Sequence, residues 1–173
     1  KDVMIKHTKE CYEKKIPFCF DPGQQVTAFP AQELMMLIGQ SKFLIGNDYE
    51  MKLTQDKTGL TAEEMLNLTE ALIITLGADG SYIRTKDELI RISPCPVFSV
   101  QDPTGAGDAY RAGFFTAYVR GLNLETCGKF ASVAAAYAVE HFGTQNHFFT
   151  LNEFNTRYEK VYSETIEKCD LLR

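Results

Sequence analysis

The residues best suited to chemistry lie between Val100 and Tyr118, in the string VQDPTGAGDAYRAGFFTAY. An apolar run, Val97-Phe98-Ser99-Val100, leads into Asp102-Pro103-Thr104 and then Gly105-Ala106-Gly107-Asp108. Beyond it, Tyr110, Gly113, Phe114, Ala117 and Tyr118 recur at helical spacing. The pattern predicts a strand, a tight turn and a helix with glycines and a carboxylate at its start. Such a turn directs backbone N–H groups outward at the positive end of a helix dipole, which suits a phosphate. Asp108, beside that anion site, could take the proton of an attacking hydroxyl, so the chemistry indicated is phosphoryl transfer. Spacing alone leaves a plainer reading open. Glycine-rich turns open many helices that bind nothing, and a first-turn acid often only complements the dipole. Gly105 and Gly107 make G-x-G with no Lys-Ser or Lys-Thr after them, so there is no Walker A motif.

The string Asp102 to Tyr110, DPTGAGDAY, closely resembles the C-terminal signature of the ribokinase-like (PfkB) family of sugar and nucleoside kinases, D-[TSP]-T-G-A-G-D-[AST]-[FY]. By that resemblance Asp108 is the catalytic base, and the amides of Gly105, Ala106 and Gly107 form the anion hole for the transferred phosphoryl group. Asp102 and Thr104 stand where family members often build a monovalent-cation site, which implies K⁺ beside Asp102. Asn47-Asp48-Tyr49-Glu50 fits the family's N-x-x-E motif. The resemblance implies that Asn47 and Glu50 orient magnesium and phosphate, with Glu50 acting on Mg²⁺ through water. Read from the residues alone, they are a helix cap with a first-turn acid. Thr75 to Gly80, TLGADG, resembles the family's T-x-G-x-x-G element, which implies that Thr75 and Gly77 contact nucleotide phosphates. An Asp-Gly turn into a hairpin explains Asp79 and Gly80 equally well.

Positioning these motifs requires a succession of strands and helices. Val3 to Lys14 is a predicted amphipathic helix, and Ile16 to Phe20 a short buried strand broken by Asp21-Pro22-Gly23. Gln24 to Phe29 is expected to be a loop, and Pro30 to Gln40 a helix with proline at its start. Phe43-Leu44-Ile45 is the next strand, followed by a helix capped by Asn47 or Asp48. Thr61 with Glu64 makes a capping box before a short helix to Leu68. Ala71 to Leu76 is a continuous apolar strand of the kind parallel sheets bury on both faces. Ser81 to Arg84 and Glu88 to Ile92 read as antiparallel strands around Lys86-Asp87. After the signature come helices Gly107 to Arg120, capped by Gly121, then Leu124 to Phe142, and Leu151 to Cys169. The small-residue run Ala131 to Val139 predicts close helix packing.

The alternation implies an α/β sandwich with a mainly parallel central sheet, its motifs at strand ends along one edge. The resemblance makes this the three-layer α/β/α sandwich of ribokinase-like proteins. Those proteins are usually near ~300 residues long, at the upper end of single-domain sizes. It follows from the resemblance that residues 1–173 are the C-terminal part of one kinase domain, with the N-terminal part and lid missing. A net charge of −5 disfavours nonspecific nucleic-acid binding. Five cysteines without metal or disulfide spacing suit reduced thiols. The lack of a long apolar segment or signal pattern points to a cytoplasmic protein without a membrane partner.

The function expected is transfer of the ATP γ-phosphoryl group, with Mg²⁺, to a hydroxymethyl group of a nucleoside. The strings Asp21 to Gln25 and Asp108 to Phe114 resemble the adenosine-kinase-like and archaeal nucleoside-kinase branch. A sugar kinase of the ribokinase or fructokinase type, and a catalytically silent nucleotide-binding fragment, are the alternatives. Arg111 departs from the apolar or small residue more common in ribokinases; from the residues alone it is a solvated helix charge. Relatives often form homodimers through the lid, so a homodimer is expected.

Overall fold

The structure, a computed structural model, describes residues 1–165. It comprises two compact units, residues 1–77 with 82–89, and residues 78–81 with those from 90 onward. The first unit carries helix α1 (Asp2–Glu13), strand β1 (Cys19–Phe20), a 3₁₀ turn (Gly23–Ala28) and helix α2 (Ala31–Gln40). Strand β2 (Phe43–Asn47), helices α3 (Asp48–Thr58) and α4 (Ala62–Leu66) and strand β3 (Ala71–Thr75) follow. Strands β4 (Ser81–Arg84) and β5 (Leu89–Ile92) complete a five-stranded sheet in the order β1-β2-β3-β4-β5.

Strands β1, β2 and β3 run parallel, with Phe20 opposite Leu44 and Asn47 opposite Thr75. Helices stand between them in sequence, as parallel crossovers require. The connections to β4 and from β4 to β5 span only residues 76–80 and 85–88. These are too short for a crossover, so the sheet turns antiparallel there. The amide of Thr85 donates to the Glu88 carbonyl at 2.9 Å and closes the second hairpin. The apolar runs of β2 and β3 are buried along almost their whole length, as expected of strands covered on both faces. Leu44, Leu72 and Ile74 share one core with Leu34, Leu37 and Ile38 of α2. Each such side chain contributes about 1.5–3 kcal/mol when buried.

Several boundaries differ from expectation for local reasons. The strand expected from Ile16 shrinks to Cys19–Phe20, because Pro17 has no N–H to place in a ladder. The loop expected at Gln24 to Phe29 is wound into the 3₁₀ turn. Helix α4 stops at Leu66, although its Thr61–Glu64 capping box forms as read from the sequence.

The second unit carries helices α5 (Ala106–Tyr118), α6 (Leu124–Val139) and α7 (Leu151–Tyr162). Helix α5 lies directly against α6. A Cβ on Gly113 would sit 2.8 Å from the Phe130 carbonyl and 2.9 Å from the Ala134 Cβ. The small-residue run of α6 therefore packs as closely as predicted. Helix α5 ends at Tyr118 with Val119, rather than Gly121, as its cap. Helix α6 ends at Val139 rather than Phe142, because its terminal carbonyl receives outside donors. The amides of Gln101 and Asp102 bond the Val139 carbonyl at 2.9 and 3.2 Å. Helix α7 ends at Tyr162 and is capped by Ser163 in the left-handed conformation; the expected continuation past residue 165 lies outside the described residues.

The largest correction concerns Val97 to Val100, expected to be a strand. These residues have no regular structure and are exposed. Pro94 and Pro96 remove ladder donors just before them, and side chains of the helices hold the segment instead.

Candidate active site

In the first unit, the ends of β2 and β3 bring two expected site residues together. Asn47 and Thr75 are register partners on adjacent parallel strands, at the edge where open α/β sheets place ligands. Asn47 is also the N-cap of α3. Its Oδ1 accepts the Glu50 amide at 2.7 Å, and Glu50 Oε2 accepts the Asn47 amide at 2.9 Å. The cap reading of N-x-x-E is thus physically present. It commits one carboxylate oxygen of Glu50 to the helix start. The carboxylate lies over Gly46, where a Cβ would meet Oε2 at 3.3 Å. Gly77 follows Thr75 with φ +60° and opens the single turn Gly77–Asp79. A side chain there would be conformationally strained.

A single hard oxygen donor with solvent access suits Mg²⁺ held through water, so Glu50 fits that ion. Among the described residues no group of three His, Cys, Asp or Glu side chains is placed to hold a metal directly.

The signature turn belongs to the second unit. Asp102 Oδ1 accepts the Thr104 amide at 2.8 Å and Oδ2 the Gly143 amide at 3.0 Å. Hydrogen bonds from Thr104, and then from Gly143, hold its carboxyl below the usual carboxylate range. Both oxygens are engaged by backbone, so Asp102 acts as the fastening of two turns. Gly105 is left-handed, φ +87°, and a Cβ on it would lie 2.9 Å from the Thr144 carbonyl. Only glycine fits there. The Ala106 amide donates to the Pro103 carbonyl at 3.2 Å, so it is engaged within the turn.

The amides of a helix's first turn have no intrahelical acceptor, and no side chain caps α5. Asp108 occupies the N3 position of that helix. In α3, α4 and α7 the N3 residue, Glu50, Glu64 or Glu153, reaches back to complete a capping box. Helix α5 departs from this habit. Gly105 has no side chain to reciprocate, and the Asp108 carboxylate, 72% exposed, pairs with Arg111 instead. Asp108 is therefore not a capping acid. Two residues on, Tyr110 is buried and shares a 2.8 Å hydrogen bond with Ser81. Burial pushes its phenol up to about 12, so it remains neutral and anchors the helix.

The segment before the signature is pinned by Arg157 and Glu140. Arg157 makes a two-pronged ion pair with Glu140 at 2.8 and 2.6 Å and donates to the Pro96 carbonyl at 2.7 Å. Its guanidinium lies 4.5 Å from the Tyr137 ring centre and 5.3 Å from that of Phe98. Glu140 also accepts the Phe98 amide at 2.7 Å. Burial acts to raise the Glu140 carboxyl, but the bonds from Arg157 and Phe98 outweigh it and hold it low.

Sequence reasoning missed the room that Gly46 gives Glu50, the Arg157–Glu140 pin and the pairing of Arg111 with Asp108. The spacing of Asp108 and Arg111 at i, i+3 was a readable signal. The pin joins residues too distant in sequence to be paired by pattern.

Residues 1–150 match the family described as pfkB family carbohydrate kinase, and the chain belongs to that family. Residues 151–173 fall beyond the matched range. The chain is 37% identical over 156 residues to a nucleoside kinase of Methanocaldococcus jannaschii, covering 90% of this chain and 51% of that protein. Among solved structures it is similar to the Burkholderia thailandensis nucleoside kinase in complex with inosine. That likeness has a TM-score of 0.91 and 36% identity, covering 93% of this chain and 53% of the other. The same kinase in complex with ADP-inosine matches with the same TM-score and identity, 0.91 and 36%, covering 93% and 50%. The chain spans about half the length of the curated relatives it matches. The α/β fold expected from the sequence is the ribokinase-like fold of these relatives. Among the described residues no helix is long and apolar enough to cross a membrane.

Proposed function

We propose that this chain is part of an ATP-dependent nucleoside kinase, with Asp108 as its general base. The observation that carries the reading is the start of α5, where uncapped amides stand beside an exposed N3 carboxylate not used for capping. Likeness to nucleoside kinases, one of them in complex with inosine and with ADP-inosine, supports a nucleoside over a free sugar.

In this reading the acceptor hydroxymethyl oxygen forms a bond to the γ-phosphorus of ATP. The bond from that phosphorus to the β–γ bridging oxygen breaks, and its electron pair leaves with ADP. Asp108 takes the hydroxyl proton as the oxygen attacks. The Gly107 and Asp108 amides and the positive end of α5 stabilise the charge of the transferring group. Gly105 and Ala106 shape that turn. Asn47, Thr75 and Gly77 receive the nucleotide phosphates. Glu50 would hold Mg²⁺ through water, and the bound ion would neutralise phosphate charge.

The test is ADP release by the full-length protein with MgATP against inosine, adenosine, cytidine, ribose and fructose, beside Asp108→Asn. Nucleoside-dependent release, reduced about 10²–10⁴-fold in Asp108→Asn, is the expected result. Release with free sugars alone would overturn the acceptor. An Asp108→Asn enzyme as fast as the parent would remove Asp108 as base.

A further inference from the structure

Among the described residues Asp108 pairs with Arg111, to which the phosphoryl-transfer reading gives no task. Side chains on a helix lean toward its N-terminus, so an arginine one turn after Asp108 reaches back over the helix start. Its guanidinium bonds Asp108 Oδ1, and its Nη1 lies 3.9 Å from where a Cβ on Gly107 would be. The arginine side chain is 34% exposed, against 72% for the aspartate. The guanidinium thus rests against the turn that bears the free amides, while the carboxylate faces solvent. Helix electrostatics do not explain this placement, since a cation is favoured at the opposite end of the dipole. An i, i+3 pair adds only ~0.2–0.5 kcal/mol to a helix.

From this juxtaposition we infer that Arg111 is a catalytic residue. It holds Asp108 in the resting state and passes to the transferring phosphoryl group as that group reaches the first turn of α5. The inference rests on the proposed reaction. The bond from Arg111 takes up Oδ1, one of the two carboxylate oxygens with which Asp108 can receive the acceptor hydroxyl. The incoming phosphoryl oxygens offer arginine a charged, fork-shaped partner at the end of the helix it already covers. Movement of the guanidinium from Asp108 to phosphoryl oxygen frees the base when the group to be attacked is in place. No proton moves on Arg111, which stays charged throughout. The interaction is made only with the transferring group, so it affects kcat and leaves the nucleotide's ground-state affinity nearly unchanged.

The test uses the full-length protein, its Arg111→Gln and Arg111→Lys variants, and ADP with aluminium fluoride as a mimic of the transferring group. Affinity for ADP alone, with inosine present, is expected to agree within about twofold across all three proteins. Aluminium fluoride should tighten ADP binding to the parent, and Arg111→Gln should lose about 10- to 100-fold of that tightening. Its kcat should fall similarly at an unchanged KM for MgATP, with part of both losses recovered in Arg111→Lys. Unchanged kcat and unchanged tightening in Arg111→Gln would overturn the inference and leave Arg111 a surface ion-pair partner. Equal losses in ADP affinity and kcat in both variants would also overturn it, as a structural role would produce them. A parent protein without nucleoside-dependent ADP release would instead overturn the reaction itself, and the role of Arg111 with it.

Discussion

Replacing Gly105 by alanine tests whether the shape of the signature turn depends on a missing side chain. At φ +87° the residue is in the left-handed region, which costs an L-residue about 1–2 kcal/mol. The new Cβ would also lie 2.9 Å from the Thr144 carbonyl and 3.0 Å from its Cα. These are backbone atoms that cannot rotate away, and overpacking of this kind costs roughly 1–3 kcal/mol. The combined loss is about 2–5 kcal/mol, a large share of a typical domain's ~5–15 kcal/mol. Gly107, in the same turn, supplies the control. Its φ is not positive, and a Cβ there meets only Arg111 Nη1 at 3.9 Å. Alanine should be neutral or stabilise by up to ~1 kcal/mol in that helical position. Urea unfolding of the full-length protein and both variants at 25 °C measures the contrast. A Gly105→Ala loss below about 1 kcal/mol, or equal losses at the two positions, would refute the reasoning.

Two further outcomes follow from packing and from charge. Gly113→Ala is expected to destabilise by roughly 1–3 kcal/mol in the same unfolding assay, because the methyl group meets the α6 backbone at 2.8–2.9 Å; a neutral change would mean that the helices can part without penalty. Asp102 has its carboxyl lowered in the fold, so it stabilises above the ordinary carboxylate pKa of ~3.9, and that contribution fades as pH falls through the lower folded value. The stability gap between the parent and Asp102→Asn should therefore be widest near neutral pH and close below ~3.9; a gap constant with pH would contradict the linkage.

Most of the framework could be read from local pattern. The apolar runs of β2 and β3, the cap residues Thr61 and Asn47, and the small residues facing α5 act through neighbours in sequence or through simple periodicity. Asp102 to Asp108 could be read because the string resembles a family signature; within it the backbone itself demands the residue type at Gly105, φ +87°. What could not be read was where side chains take over from backbone. The apolar letters Val97 to Val100 satisfy a strand pattern, yet their order comes from Glu140 and Arg157. Asn47 and Glu50 were open to two readings, and the structure shows the cap physically formed. Pattern could not tell that Asp108, in the same helical position as Glu50, Glu64 and Glu153, would turn away from its helix. That distinction depends on the absent side chain of Gly105.

The fastening of residues 95–102 also fixes when this region can form. The Cys95 amide waits for Ser132, 37 positions later, the Phe98 amide for Glu140, 42 positions later, and the Pro96 carbonyl for Arg157, 61 positions later. Helices mature within microseconds from contacts a few residues apart, whereas closures across tens of residues carry their loop entropy first. The approach to Asp108 is thus a late-folding segment attached to an early-folding helix. During synthesis the Cys95 and Phe98 bonds await α6, and the Pro96 bond awaits α7.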